Sequence, residues 1–93
     1  MYEITKDQYK IAKRIGVLIF PSDNAKKKID VYDKDGLFFC AIGDIRYNDY
    51  FTYLERDNKA HADNRRRLYD LRTKKGLSIG SRNWLARKIL WDL

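Results

Sequence analysis

Apolar and polar positions along this chain change period several times, and each change marks an element. From Lys6 to Ile15 the apolar residues Ile11, Ala12 and Ile15 recur at helical spacing. Thr5 is placed to cap that helix and Gly16 to stop it. Val17-Leu18-Ile19-Phe20 then reads as a short strand, broken by the turn-forming cluster Pro21-Ser22-Asp23-Asn24. The clearest signal follows. Lys28-Ile29-Asp30-Val31-Tyr32 and Leu37-Phe38-Phe39-Cys40-Ala41-Ile42 flank Asp33-Lys34-Asp35-Gly36, a turn whose Asp-Gly ending supplies the positive φ of a hairpin.

Gly43 to Asn48 reads as a loop. Asp49 or Asn48 can cap a short helix carrying Tyr50, Phe51, Tyr53 and Leu54. A longer helix is expected from about Asn58 to Thr73, with a thin inner stripe of Ala60, Asn64, Leu68 and Leu71. Lys74-Lys75-Gly76 ends it, with cations at the negative end of the helix dipole. Ser81 caps a last helix, in which Leu85, Ile89, Leu90 and Leu93 form one aliphatic stripe. That stripe is the expected cover of the hairpin, which is marginal alone. Trp84 and Trp91 fall on roughly the opposite side, beside Arg87 and Lys88. So either this helix is sandwiched inside the fold or its tryptophan face meets a partner. Trp84 is the ring expected to face outward and Trp91 the core residue.

The elements together predict one α+β domain over residues 1–93. A β-hairpin, extended to a three-stranded antiparallel sheet if the Val17 strand joins it, packs against three or four short helices. Residues 1–28 form an N-terminal helix and strand extension, and 29–92 the main body. No apolar run approaches the roughly 20 residues of a membrane span, and the N-terminus lacks a signal-peptide pattern. The single cysteine, Cys40, fits a reducing compartment and reads as buried filler. These features predict a soluble, non-secreted protein.

Charge sharpens the reading. Residues 1–46 hold 9 Lys/Arg against 7 Asp/Glu, whereas residues 47–93 hold 11 against 6. Between 59 and 88 only Asp63 and Asp70 oppose the cations. Arg65, Tyr69 and Arg72 recur at helical spacing, Arg66 and Arg67 broaden that face, and Lys74 and Lys75 extend it. Arginine forks suit phosphate oxygens, and an interleaved tyrosine can stack. The competing reading pairs these arginines with Asp63 and Asp70 along a solvated helix. No base-reading motif is present, so contact with DNA or RNA would be to the backbone; an acidic protein is the other candidate partner.

Catalysis is not expected. His61 reads as a solvated helix residue, and one histidine with one cysteine cannot supply a structural zinc set. Asp30, Asp33 and Asp35 lack the later glutamate of a calcium loop. No catalytic residue, metal, cofactor or small-molecule substrate is assigned. Tyr47, Tyr50, Phe51 and Tyr53 read as core rather than as a stacking platform.

Tyr47-Asn48-Asp49-Tyr50, then Arg66-Arg67-Leu68-Tyr69-Asp70-Leu71-Arg72, then Ile89-Leu90-Trp91, occur in an order that resembles a family of small uncharacterised proteins of large DNA viruses and bacteriophages. The likeness covers about residues 29–92. The chain departs from it at Arg46, where the family has glycine, and at Leu85 and Lys88, where it has an extra aromatic. The resemblance implies a viral setting and no mechanism; taken with the doubly apolar last helix and the one-sided charge, it leads to the expectation of a non-enzymatic minor virion or capsid component, in the particle or the host cytoplasm or nucleoplasm. Trp84, Arg87, Lys88 and Trp91 would dock between larger viral structural proteins. The alternative is a free nucleic-acid-binding or host-directed regulator.

Overall fold

A computed structural model describes residues 1–93, in which a three-stranded antiparallel sheet and four helices make an α+β protein. Two compact units divide the chain, residues 1–47 and 48–93.

The first unit contains α1 (Lys6–Ile15), β1 (Leu18–Pro21), β2 (Lys27–Tyr32) and β3 (Phe38–Asp44). α1 opens with a capping box. The Gln8 N–H donates to Thr5 Oγ1 at 3.2 Å, and the Thr5 N–H donates to Gln8 Oε1 at 2.9 Å. Gly16, at φ 83°, closes it in the left-handed conformation. The expected Val17–Phe20 strand joins the hairpin one residue later, as Leu18–Pro21, giving strand order β1-β2-β3 with Ile19 opposite Val31, Pro21 opposite Ile29 and Ile29 opposite Ile42. Ile19, Ile29, Val31, Cys40 and Ile42 are all buried. The strand that was expected to end at Ile42 continues through Gly43 to Asp44. Its added residues include Asp44 opposite Lys27. Beyond it, Arg46 lies 2.7 Å from Asp44 and its guanidinium holds that carboxyl down to about 2.

The second unit contains α2 (Tyr50–Arg56), α3 (Lys59–Thr73) and α4 (Arg82–Trp91). Each start is capped by a side chain that accepts a backbone N–H: Asp49 from Thr52, Asn58 from His61, and Ser81 from Trp84. Both α2 and α4 pack against α3, and they also touch each other. Leu85, Ile89 and Leu90 of the aliphatic stripe of α4 are buried, and so is Trp91 on the other side of the helix. None of the four helices is long and apolar enough to cross a membrane.

α3 is turned differently from the expected stripe. Ala62 is its only buried residue, while Ala60 and Asn64 are exposed and Leu71 keeps 54% of its surface accessible. Its inner side is formed by Ala62, Asp63, Arg66, Tyr69, Asp70 and Thr73, which recur at three- and four-residue steps. Polar tethers and aromatic contacts hold this helix, not leucines.

Candidate nucleic-acid interface

The inward side of α3 is where its carboxylates are engaged. Asp63 accepts the Tyr50 hydroxyl at 2.8 Å and the Lys59 ammonium at 2.7 Å, and lies 3.4 Å from the Arg66 guanidinium. Asp70 pairs with Arg87 of α4, whose other nitrogen donates to Thr73 Oγ1 at 2.8 Å. Arg66 also lies over the Tyr50 ring, 4.1 Å from its centroid, and reaches the Asp92 carboxylate at 3.8 Å.

These contacts remove three of the sequence-assigned residues from any exposed binding face. Arg66 is half-buried and tethered, so it does not broaden the arginine face as expected. Tyr69 does not interleave with Arg65 and Arg72 in solvent. Its ring stacks on Trp91 at 4.3 Å with only 9° between planes. Arg87 keeps 13% of its side-chain surface and is a structural tie between α4 and α3.

The tryptophan face is divided as well. Trp91 retains only 8% exposure, with Tyr69 on its face and Tyr53 at 6.4 Å, so it is a core ring and not a docking residue. Trp84 is half-buried, with the Lys88 ammonium 5.6 Å from its ring. Lys88 also donates to the Leu93 main-chain oxygen at 2.6 Å, which holds the chain end to α4.

What remains outward is a coherent set of cations. Arg65, Arg67, Arg72, Lys74 and Lys75 are exposed and form no ion pair with a carboxylate. At about 100° per residue, Arg65 and Arg72 run along one flank of the outer ridge and Arg67 and Lys74 along the other. The ridge between them carries Asn64, Leu68 and Leu71, and Lys75 follows in the turn just beyond the helix. Arg65 lies over the Tyr53 ring at 5.6 Å and Arg72 over Tyr69 at 5.7 Å, which restrains both guanidiniums without neutralising them. Arg67 donates to the neutral Asn64 side chain at 3.1 Å. The cations are free because both acids of α3 point the other way. The signal was present in the sequence: Asp63 and Asp70 share a helical phase, and Arg66 and Tyr69 fall within about 120° of it, marking a polar inner side.

His61 lies at the start of α3 with its Nε2 3.5 Å from Asp57 and its ring edge-on to Tyr53 at 5.2 Å. No cluster of three or more His, Cys, Asp or Glu side chains is arranged to hold a metal ion.

Burial raises the Tyr50 phenol above its usual range, and its hydrogen bond to Asp63 adds to this. Burial raises Tyr69 too. A phenol whose folded pKa is raised contributes stability that is fully present below its unfolded value of about 10 and is lost as pH rises through the folded value. The helical unit is therefore expected to weaken as pH climbs above 10. Alkaline titration of phenolate absorbance alongside helical circular dichroism checks this: Tyr50→Phe should flatten the pH dependence, and an unchanged alkaline limb would contradict the role given to Tyr50.

No protein-family profile matches the chain, and no curated protein or solved structure is similar to it.

Proposed function

We propose that this chain is a non-enzymatic nucleic-acid-binding protein that grips the phosphate backbone with the outer face of α3. One observation carries the reading: five exposed cations on and just after a single helix have no carboxylate partner, because Asp63 and Asp70 are engaged inward. Two guanidiniums restrained over aromatic rings lose less freedom on binding, and guanidinium forks match phosphate oxygens. A net charge of +7 draws a polyanion toward the chain at long range. The exposed leucines between the cation rows read no base edge, so the binding is expected to be insensitive to sequence.

Counterion release makes this measurable. If four or five phosphates are neutralised, log K should fall against log salt with a slope of about −4 on duplex DNA. Replacing Arg65, Arg67 and Arg72 with glutamine should make the slope shallower by about 3, with little change in helical content. Fluorescence anisotropy across a salt series tests both. Absence of binding at low salt, or a slope that the triple variant leaves unaltered, would sink the proposal.

A second reading, docking between larger subunits of a virus particle, now has Trp84 as its anchor. The half-buried ring beside Lys88 is the observation in its favour. The viral setting itself rests on the order of the short motifs.

A further inference from the structure

The outer face of α3 is ordered across its width, and that order narrows what can cover it. At about 100° per residue, the Arg65–Arg72 row and the Arg67–Lys74 row stand about 160° apart across the exposed side. Lys74, the C-cap, keeps helical dihedrals, φ −75° and ψ −17°, so it continues the Arg67 row. Within each row the two cations lie seven residues apart, about 10 Å along the axis. Between the rows runs the uncharged, solvent-facing ridge of Asn64, Leu68 and Leu71.

No acid interrupts this face. From Asn64 to Arg82 the sole acid is Asp70, and Arg87 holds and balances it on the inner side. Asp63 is likewise turned inward, between Lys59 and Arg66. Asp57 stands ahead of both rows, 3.5 Å from His61 in the first turn. α2 and α4 hold α3 through its inner residues Asp63, Arg66, Asp70 and Thr73, which leaves the ridge clear of its own unit.

A single strand laid along either row leaves the other row pointing away, and one laid on the ridge sets leucines against phosphates. A groove with phosphates on both walls satisfies the two rows at once. It also gives the leucines the base edges, the least charged part of a duplex. The major groove of B-form DNA is about 12 Å wide and admits an α-helix, whereas the minor groove, about 6 Å wide, does not. The major groove of an A-form RNA duplex is too deep and narrow to enter.

We propose that α3 seats in the major groove of B-form duplex DNA, with Arg65 and Arg72 on the phosphates of one strand and Arg67 and Lys74 on those of the other. The inference rests on the phosphate-binding reading above and narrows its ligand to duplex DNA. The leucines offer no hydrogen bond to the groove floor, and the Asn64 side-chain oxygen already accepts from Arg67. The ridge therefore fills the groove without selecting a sequence.

The test is fluorescence anisotropy of the full chain across a salt series, with four labelled ligands of matched sequence and length. They are duplex DNA, duplex RNA, single-stranded DNA, and duplex DNA with bulky groups on the pyrimidine C5 positions, which project into the major groove. Unmodified duplex DNA should bind more tightly than each of the others by about tenfold or more. The blocked duplex carries the same phosphates, so its loss reports the groove and not the charge. Arg65→Gln/Arg72→Gln and Arg67→Gln/Lys74→Gln should each make the duplex slope shallower by about 2. All four side chains are exposed, so circular dichroism should stay unchanged. Blocked and unmodified duplexes bound equally, or RNA or single-stranded DNA bound as tightly as duplex DNA, overturns the groove seat and leaves the phosphate grip standing. So does a slope that only one of the two flank variants lowers. Absence of binding to every ligand at low salt removes the grip and the groove seat together.

Discussion

Trp91→Ala should destabilise the helical unit by about 4 kcal/mol, the largest single-residue effect expected in this chain. The ring is buried, lies flat on Tyr69 at 4.3 Å, and has Tyr53 on another side. Its loss removes a large area from water, leaves a void that α3 and α4 can only partly close, and abolishes a stacked pair. Domains of this size are stable by roughly 5–15 kcal/mol, so the variant should melt tens of degrees lower or fail to fold. Trp84→Ala, at a half-buried site, should cost much less and leave the helical signal in place. Thermal melts of the two variants side by side decide the matter. Equal, small losses would show that Trp91 is not a core residue and would restore a two-ring docking face.

Arg87→Ala is expected to cost about 2 kcal/mol. Its guanidinium joins α4 to two successive turns of α3, through the Asp70 carboxylate and the Thr73 hydroxyl. Little of the side chain meets solvent, so the charge-assisted bonds are weakly screened. Asp70 is more open and can rehydrate when its partner is gone, which keeps the loss below that of a fully buried pair. A cycle of Arg87→Ala, Asp70→Asn and the double variant, followed by urea unfolding, isolates the coupling. It should exceed 1 kcal/mol, whereas a pair in open solvent gives about 0.2–1. A coupling near zero would return Arg87 to the surface role that its sequence position suggested.

Much of the local architecture was legible in the residues. Thr5 and Ser81 cap the helices they were assigned to, Asp49 is the one of two candidates that caps α2, Asn58, expected at the start of α3, is its cap, and Gly16 and Gly36 take the positive φ that a helix end and a hairpin turn require. Such signals are complete within a few positions: a cap needs only an oxygen and an N–H three residues on, and a two-residue period survives whatever packs above it. The hairpin was legible for the same reason, whereas the joining of β1 to it, left open by the sequence, was set by the fold.

The candidate interface was only half legible. Arg65, Arg67, Arg72, Lys74 and Lys75 are outward as their charge implied, but Arg66, Tyr69 and Arg87 are held inward. Hydrophobic periodicity pointed α3 the wrong way, because it weighs Leu68 and Leu71 and ignores what Asp63, Arg66 and Asp70 can bond to. Those partners lie far along the chain: Tyr50 is 13 residues from Asp63, and Arg87 is 17 from Asp70. Thus the residue string specifies each helix and strand and the overall positive charge, since these depend on neighbours in sequence, while the ends of β1 and β3 shifted from their expected places. Trp91 is the buried ring, as the sequence suggested, but which side of α3 faces outward depends on groups brought together by folding: an inward carboxylate reverses the answer, and only tertiary packing sets it.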